Sequence, residues 1–128
     1  MKSLGFFLSF FLIFSFEVNA ELNSQQKREL KKQIENMKAV LPRRVDAMTT
    51  VIDAKMEGST WILVTQVETG GMQMSEYGKS YIKNYIKQQY CRPPYEYIDA
   101  GLIIQNRYYD ERGKYLFTAT ANKRICGR

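Results

Sequence analysis

Leu30, Ile34, Met37 and Leu41 recur at steps of four, three and four, the spacing of one helical face, while Lys27, Arg28, Lys31, Lys32 and Lys38 take the other sides. Ser24 can cap this helix, and Pro42 stops it. The rhythm then changes. Val45, Thr49, Thr50, Val51 and Ile52 are β-branched, and Met48, Ile52, Ala54 and Met56 share one face of a strand running from Val45 to Met56. Glu57-Gly58-Ser59 reads as a turn, and Thr60 to Val67 as the returning strand of a hairpin. After the break at Gly70-Gly71, Ser75 caps a second helix that runs to about Tyr90. It carries two apolar stripes, Tyr77-Tyr81-Tyr85 and Ile82-Ile86-Tyr90. Arg92-Pro93-Pro94 ends it.

Tyr95 to Ala100 is short enough for one helical turn. Leu102 to Tyr109 and Lys114 to Cys126 form a second hairpin around Asp110-Glu111-Arg112-Gly113. On the last strand Tyr115, Phe117, Ala119 and Ala121 alternate with Leu116, Thr118, Thr120 and Asn122, which predicts one buried face. The order helix, hairpin, helix, hairpin predicts an α+β domain, α-β-β-α-β-β, with a small antiparallel sheet of about four strands.

The first twenty residues stand apart from this pattern. Met1-Lys2 precedes a run from Leu4 to Phe16 broken only by Gly5, Ser9 and Ser15, and Val18-Asn19-Ala20 follows it. That is the layout of a signal peptide cleaved before Glu21. The run falls short of the roughly 18–20 apolar residues that a span requires. Residues 1–20 are therefore expected to direct export, and residues 21–128 to form one periplasmic or secreted domain with no membrane span. Glu21, not cysteine, follows the cut, so no lipid anchor is expected.

Export changes how the remaining composition reads. Losing Lys2 and Glu17 with the leader keeps the net charge at +6, so the mature protein is basic. An exported basic chain meets acidic protein faces, lipid headgroups or polysaccharide more often than nucleic acid. Arg112-Gly113-Lys114-Tyr115-Leu116-Phe117 faintly suggests an RNA-binding strand, but no aromatic directly follows the glycine, so nucleic acid is not expected. Cys91 and Cys126 are the only cysteines, and in an oxidising compartment they are expected to form a disulfide. The absence of histidine removes the Ser-His and Cys-His schemes and most zinc sites. Asp46 and Asp53 fall seven apart on one predicted strand, which sends them to opposite faces. Asp110 and Glu111 sit at a hairpin tip and Asp99 reads as a local cap, so no enclosed acid pair is expected. No enzymatic activity, cofactor or metal is expected.

Binding is what remains. Six of the seven phenylalanines lie in the leader, so the mature chain carries nine tyrosines beside one phenylalanine and one tryptophan. Tyrosine, apolar in body and polar at its tip, suits a binding surface. Tyr77, Tyr81 and Tyr85 are the candidate contact residues for an amphipathic or acidic partner helix, with Lys79, Lys83 and Lys87 as a basic edge between the two stripes. Alternatively, both stripes are buried beneath the first helix.

Several short signals fall together in this chain. Leu41-Pro42 opens a strand that contains Asp46 and Thr49, and Ala54-Lys55 with Gly58 precede the next. Tyr90-Cys91 closes a helix, then come Ala100-Gly101-Leu102, Arg107-Tyr108-Tyr109-Asp110 with Gly113, and a final Cys126. In this residues 40–126 resemble the AspS-type pilotins, small periplasmic proteins that assist type II secretion secretins. The resemblance implies an α+β fold, a Cys91–Cys126 bond and a groove that receives a C-terminal secretin helix. Those pilotins are lipoproteins, and this chain departs from them at Glu21. The function expected is thus a non-enzymatic accessory protein that binds a component of an envelope secretion system. The alternative is a periplasmic immunity or inhibitor protein that binds a toxin or hydrolase. Gln66-Val67-Glu68-Thr69-Gly70 gives the inhibitor reading little support, because the valine is one place too early for a cystatin-like Q-x-V-x-G wedge.

Overall fold

Asn23 and Ser24 are both capping residues, and the reach of Gln26 decides between them. In the computed structural model, which describes residues 22–128, Asn23 Oδ1 accepts from Gln26 N at 2.8 Å while Gln26 Oε1 accepts from Asn23 N at 3.0 Å. This reciprocal pair starts helix α1 (Ser24–Lys38) at Asn23 rather than at Ser24. The expected leader and cleavage site fall outside the described residues.

Strand β1 (Arg43–Arg44) pairs with the start of β2 (Thr49–Glu57), and β2 turns at Gly58 into β3 (Thr60–Val67). Gly58 has φ 59°, a conformation that favours glycine. Ser75 Oγ accepts from Gly78 N at 3.0 Å and caps α2 (Glu76–Tyr90), as its sequence predicts. The short α3 (Glu96–Asp99), β4 (Ile103–Asp110) and β5 (Tyr115–Ala121) complete the chain.

The fold is α+β with five strands in the order β1-β2-β3-β4-β5. One expectation is corrected. The sheet is mixed, because β3 and β4 run parallel, from Thr60 opposite Ile103 to Val67 opposite Asp110. The segment from Glu68 to Leu102 carries two helices, and such a crossover returns the chain to the end of the sheet from which β3 began.

Both long helices cover one face of the sheet. From α1, Leu30 packs with Ile98, Leu102, Ile104 and Ala121, while Ile34 packs with Ala54 and Leu63. From α2, Ile86 joins Val67, Tyr108, Phe117 and Ala119. The alternation predicted on β5 holds at Phe117, Ala119 and Ala121, all buried. It fails at Tyr115, which is exposed because the β4–β5 register shifts between Tyr108 and Tyr109. A second irregularity corrects β2. The bulge between Val51 and Asp53 leaves Ile52 without a partner and exposed, so Ile52 does not share the face of Ala54. The strand also starts at Thr49 and not at Val45. Val45 N and Asp46 N both donate to Thr49 O, closing a turn that holds Met48 out in solvent and removes Asp46 from the strand.

The last strand ends at Ala121 rather than Cys126. Asn122 Oδ1 accepts from Ile125 N at 2.7 Å, and the resulting turn brings Cys126 to Cys91. The two are bonded, with Cα atoms 5.2 Å apart.

Glu111 ties the loop before α2 to the β4–β5 turn. Its carboxylate accepts from Thr69 N at 2.7 Å and Gly71 N at 3.1 Å. The Thr69 N–H first, then the backbone N–H of Glu111 itself and that of Gly71, hold its pKa below the usual carboxylate range. Stabilisation by a carboxylate with a lowered folded value is present above the unfolded value and lost as pH falls through the folded one. Amide exchange at Thr69 and Gly71 is therefore expected to accelerate, beyond its intrinsic trend, as pH falls below the usual carboxylate range. Glu111→Ala should show that faster exchange at every pH.

Candidate functional site

The face of the sheet that the helices cover is not covered evenly. α1 lies over β2 and α2 lies over β5, and between α2, the sheet and the turn before β2 a groove of about 660 Å³ remains. Val51, Thr65, Val67 and Tyr108 make its floor, Tyr81 and Tyr85 rise along its α2 side, and Val45 and Asp46 stand on the opposite wall.

Helix periodicity places the tyrosines there. Ile82, Ile86 and Tyr90 turn toward the sheet, so the stripe next to them is carried to the rim. Tyr77, Tyr81 and Tyr85 are 81%, 67% and 52% exposed. They are not buried beneath α1. Tyr81 and Tyr85 line the groove, whereas Tyr77, in the first turn of α2, does not.

The lysines are not where the sequence reading put them. Lys83 and Lys87 line a separate depression on the other flank of α2, against Thr118 and Thr120 of β5. Lys79 pairs with Glu76 at 3.5 Å. The physical reason is the helical pitch: Lys79 follows Tyr77 by two residues, roughly 200° around the helix. None of the three lies between the apolar stripes or edges the tyrosine groove, so the acidic character expected of a partner loses its support there.

The groove floor also holds a polar chain that sequence reasoning missed. Thr65 Oγ1 donates to Asn106 Oδ1 at 2.7 Å, and Asn106 Nδ2 donates to the Tyr108 hydroxyl at 3.1 Å. All three residues are buried. The signal was available in β4, where Asn106 interrupts an inward row of Ile104 and Tyr108. Burial, with Tyr90 and Tyr85 nearby, pushes the Tyr108 hydroxyl up to about 12, against the opposing hydrogen bond from Asn106. Tyr90 is raised as well, first by burial and then by Tyr85. Asp46 stays ionised, its carboxyl lowered chiefly by the hydrogen bond from Met48 N at 2.8 Å, then by Thr49.

A raised tyrosine stabilises the fold fully below its unfolded value near 10, and this stabilisation is lost as pH rises toward the folded value. In an ultraviolet titration Tyr108 should thus ionise among the last of the nine tyrosines, and Tyr108→Phe should remove one component near pH 12. Tyr97, which donates to Glu29 Oε2 at 2.6 Å and is also raised to about 12, should remain.

An apolar groove with a polar chain in its floor and tyrosines along one rim can grip a side of a helix or peptide. Among the described residues no group of His, Cys, Asp and Glu is arranged to hold a metal ion, and no helix is long and apolar enough to cross a membrane.

The five-stranded mixed sheet with two helices on one face is similar in fold to solved structures of two type II secretion pilotins. The chain aligns with the pilotin EpsS of Vibrio vulnificus at a TM-score of 0.64 and 14% identity, covering 81% of this chain and 97% of that one. The Vibrio cholerae pilotin AspS aligns at 0.57 and 15%, covering 75% and 87%. A Pseudomonas aeruginosa protein described as secreted aligns at 0.63 and 14%, covering 82% and 99%. The resemblance read from the sequence is thus matched in the fold. No protein-family model and no curated protein sequence matches the chain.

Proposed function

We propose that this chain is an exported, non-enzymatic accessory protein that binds a component of an envelope secretion system. It holds an amphipathic helix of that component, a secretin helix in the first instance, in the groove between α2 and the sheet. One observation carries the reading: an open, largely apolar groove of about 660 Å³ is bordered by Tyr81 and Tyr85, on a fold shared with two pilotins. The first twenty residues direct the chain to the periplasm or beyond, and binding there does not depend on lipid.

Retention of a type II secretin from detergent-solubilised envelope on the immobilised mature chain tests this. The wild-type chain should retain the secretin. Tyr81→Ala should weaken binding by on the order of 2 kcal/mol, about 30-fold, as loss of an aromatic anchor does. Its melting temperature should stay close to wild type, because Tyr81 is mostly exposed. Charge reversal at Lys83 should leave retention unchanged, because Lys83 lies on the other flank. Equal retention by wild type and Tyr81→Ala, or none by either, removes the reading.

A further inference from the structure

We propose that the outer edge of β5, together with the flank of α2 beside it, is a second binding site. It takes an extended acidic segment of another protein as an added strand.

β5 closes the sheet, and among the described residues nothing pairs with its outer side. Exposed edges are normally blunted by charge, proline or a very short strand. Tyr115–Ala121 has seven residues and contains no charged residue, proline or glycine. The opposite edge of the sheet, β1, is two arginines long. The open depression of about 510 Å³ beside β5 is lined by Thr118 and Thr120 from the strand, Lys83, Asn84 and Lys87 from the helix, and Ile125. A strand edge beside a helix is the setting in which peptides add to a sheet: backbone hydrogen bonds supply affinity and alternate side chains supply specificity.

Charge and spacing select the occupant. Lys83 and Lys87 are exposed, and neither is among the ion pairs of the described residues. Four residues along a helix advance about 6 Å, and two residues along a strand about 6.6 Å. Carboxylates at alternate positions of an added strand therefore fall into step with the two lysines. A second copy of this chain fits badly, since pairing two β5 edges would bring both copies' lysines together in a protein of net charge +6. The site lies across α2 from the tyrosine groove and does not depend on what that groove binds.

Blocked heptapeptides titrated into the isotope-labelled mature chain test the proposal, with amide shifts and hydrogen exchange as the readout. The probe is Thr-Glu-Thr-Glu-Thr-Glu-Thr, with analogues in which Gln or Lys replaces each Glu. The Glu peptide should saturate, shift the amides of Leu116 to Ala121 and slow their exchange, while the Gln analogue binds at least tenfold more weakly. Lys83→Glu combined with Lys87→Glu should lose the Glu peptide and gain the Lys analogue. Both sites are exposed, so an unchanged melting temperature should confirm that the variant folds. Any of four results overturns the proposal: no binding of the Glu peptide, equal binding of the Gln peptide, shifts on α2 without slowed exchange in β5, or a dimer of the chain that protects the β5 edge.

Discussion

Cys91→Ser is expected to cost about 4 kcal/mol, the chain-entropy value for a closed loop of 35 positions. That is a large part of the 5–15 kcal/mol by which a domain is ordinarily stable. The bond joins the end of α2 to the C-terminal turn, and both cysteines pack against the cluster of Leu30, Ile98, Leu102 and Ile104. Urea unfolding measures the loss. Reduced wild-type protein should unfold close to the variant, and added dithiothreitol should leave the variant unchanged. A midpoint that does not move on reduction would show that the bond contributes little.

Leu30→Ala has the second large expected effect, a loss of 2–5 kcal/mol with an unchanged urea slope. Leu30 is 2% exposed and is the α1 residue that reaches the cluster of α3, β4 and β5. Its truncation leaves a cavity that Ile98 in α3, Leu102 just before β4 and Ile104 in β4 cannot easily close. Ile52→Ala is the contrast: a similar side chain in the bulge of β2, already 41% exposed, should change stability by well under 1 kcal/mol. Equal losses at the two sites would contradict the packing described.

The local signals in the sequence carried most of the fold. The Ser75 cap, the turn at Gly58, the helical face of Leu30 and Ile34, and the alternation of Phe117, Ala119 and Ala121 each stand as read, because each depends on near neighbours in the chain. Expectation and structure part where distant segments decide. Nothing within β3 or β4 states that they lie side by side; their parallel pairing follows from the length of the crossover between them. The bulge at Ile52 and the shift near Tyr109 arise from fitting one strand to its partner, and each reverses an inside–outside expectation. The candidate site was half legible. Two apolar stripes on α2 are more than one helix face buries, and the structure leaves the tyrosine stripe exposed. The Thr65–Asn106–Tyr108 chain joins two strands far apart in sequence, although Asn106 in an inward row was a visible hint. The position of the lysines follows from helical pitch and not from any tertiary effect, since each of Lys79, Lys83 and Lys87 lies roughly 200° around α2 from the tyrosine two residues before it.

Photo-crosslinking from the groove is the most direct test that it holds a secretion-system helix. With benzoylphenylalanine in place of Tyr81, irradiation of cells that make a type II secretin should yield an adduct of chain and secretin. The same probe in place of Arg107, whose position in β4 lies on the uncovered face of the sheet, should yield none. An adduct from position 107 but not from 81, or none from either, would contradict binding in the groove.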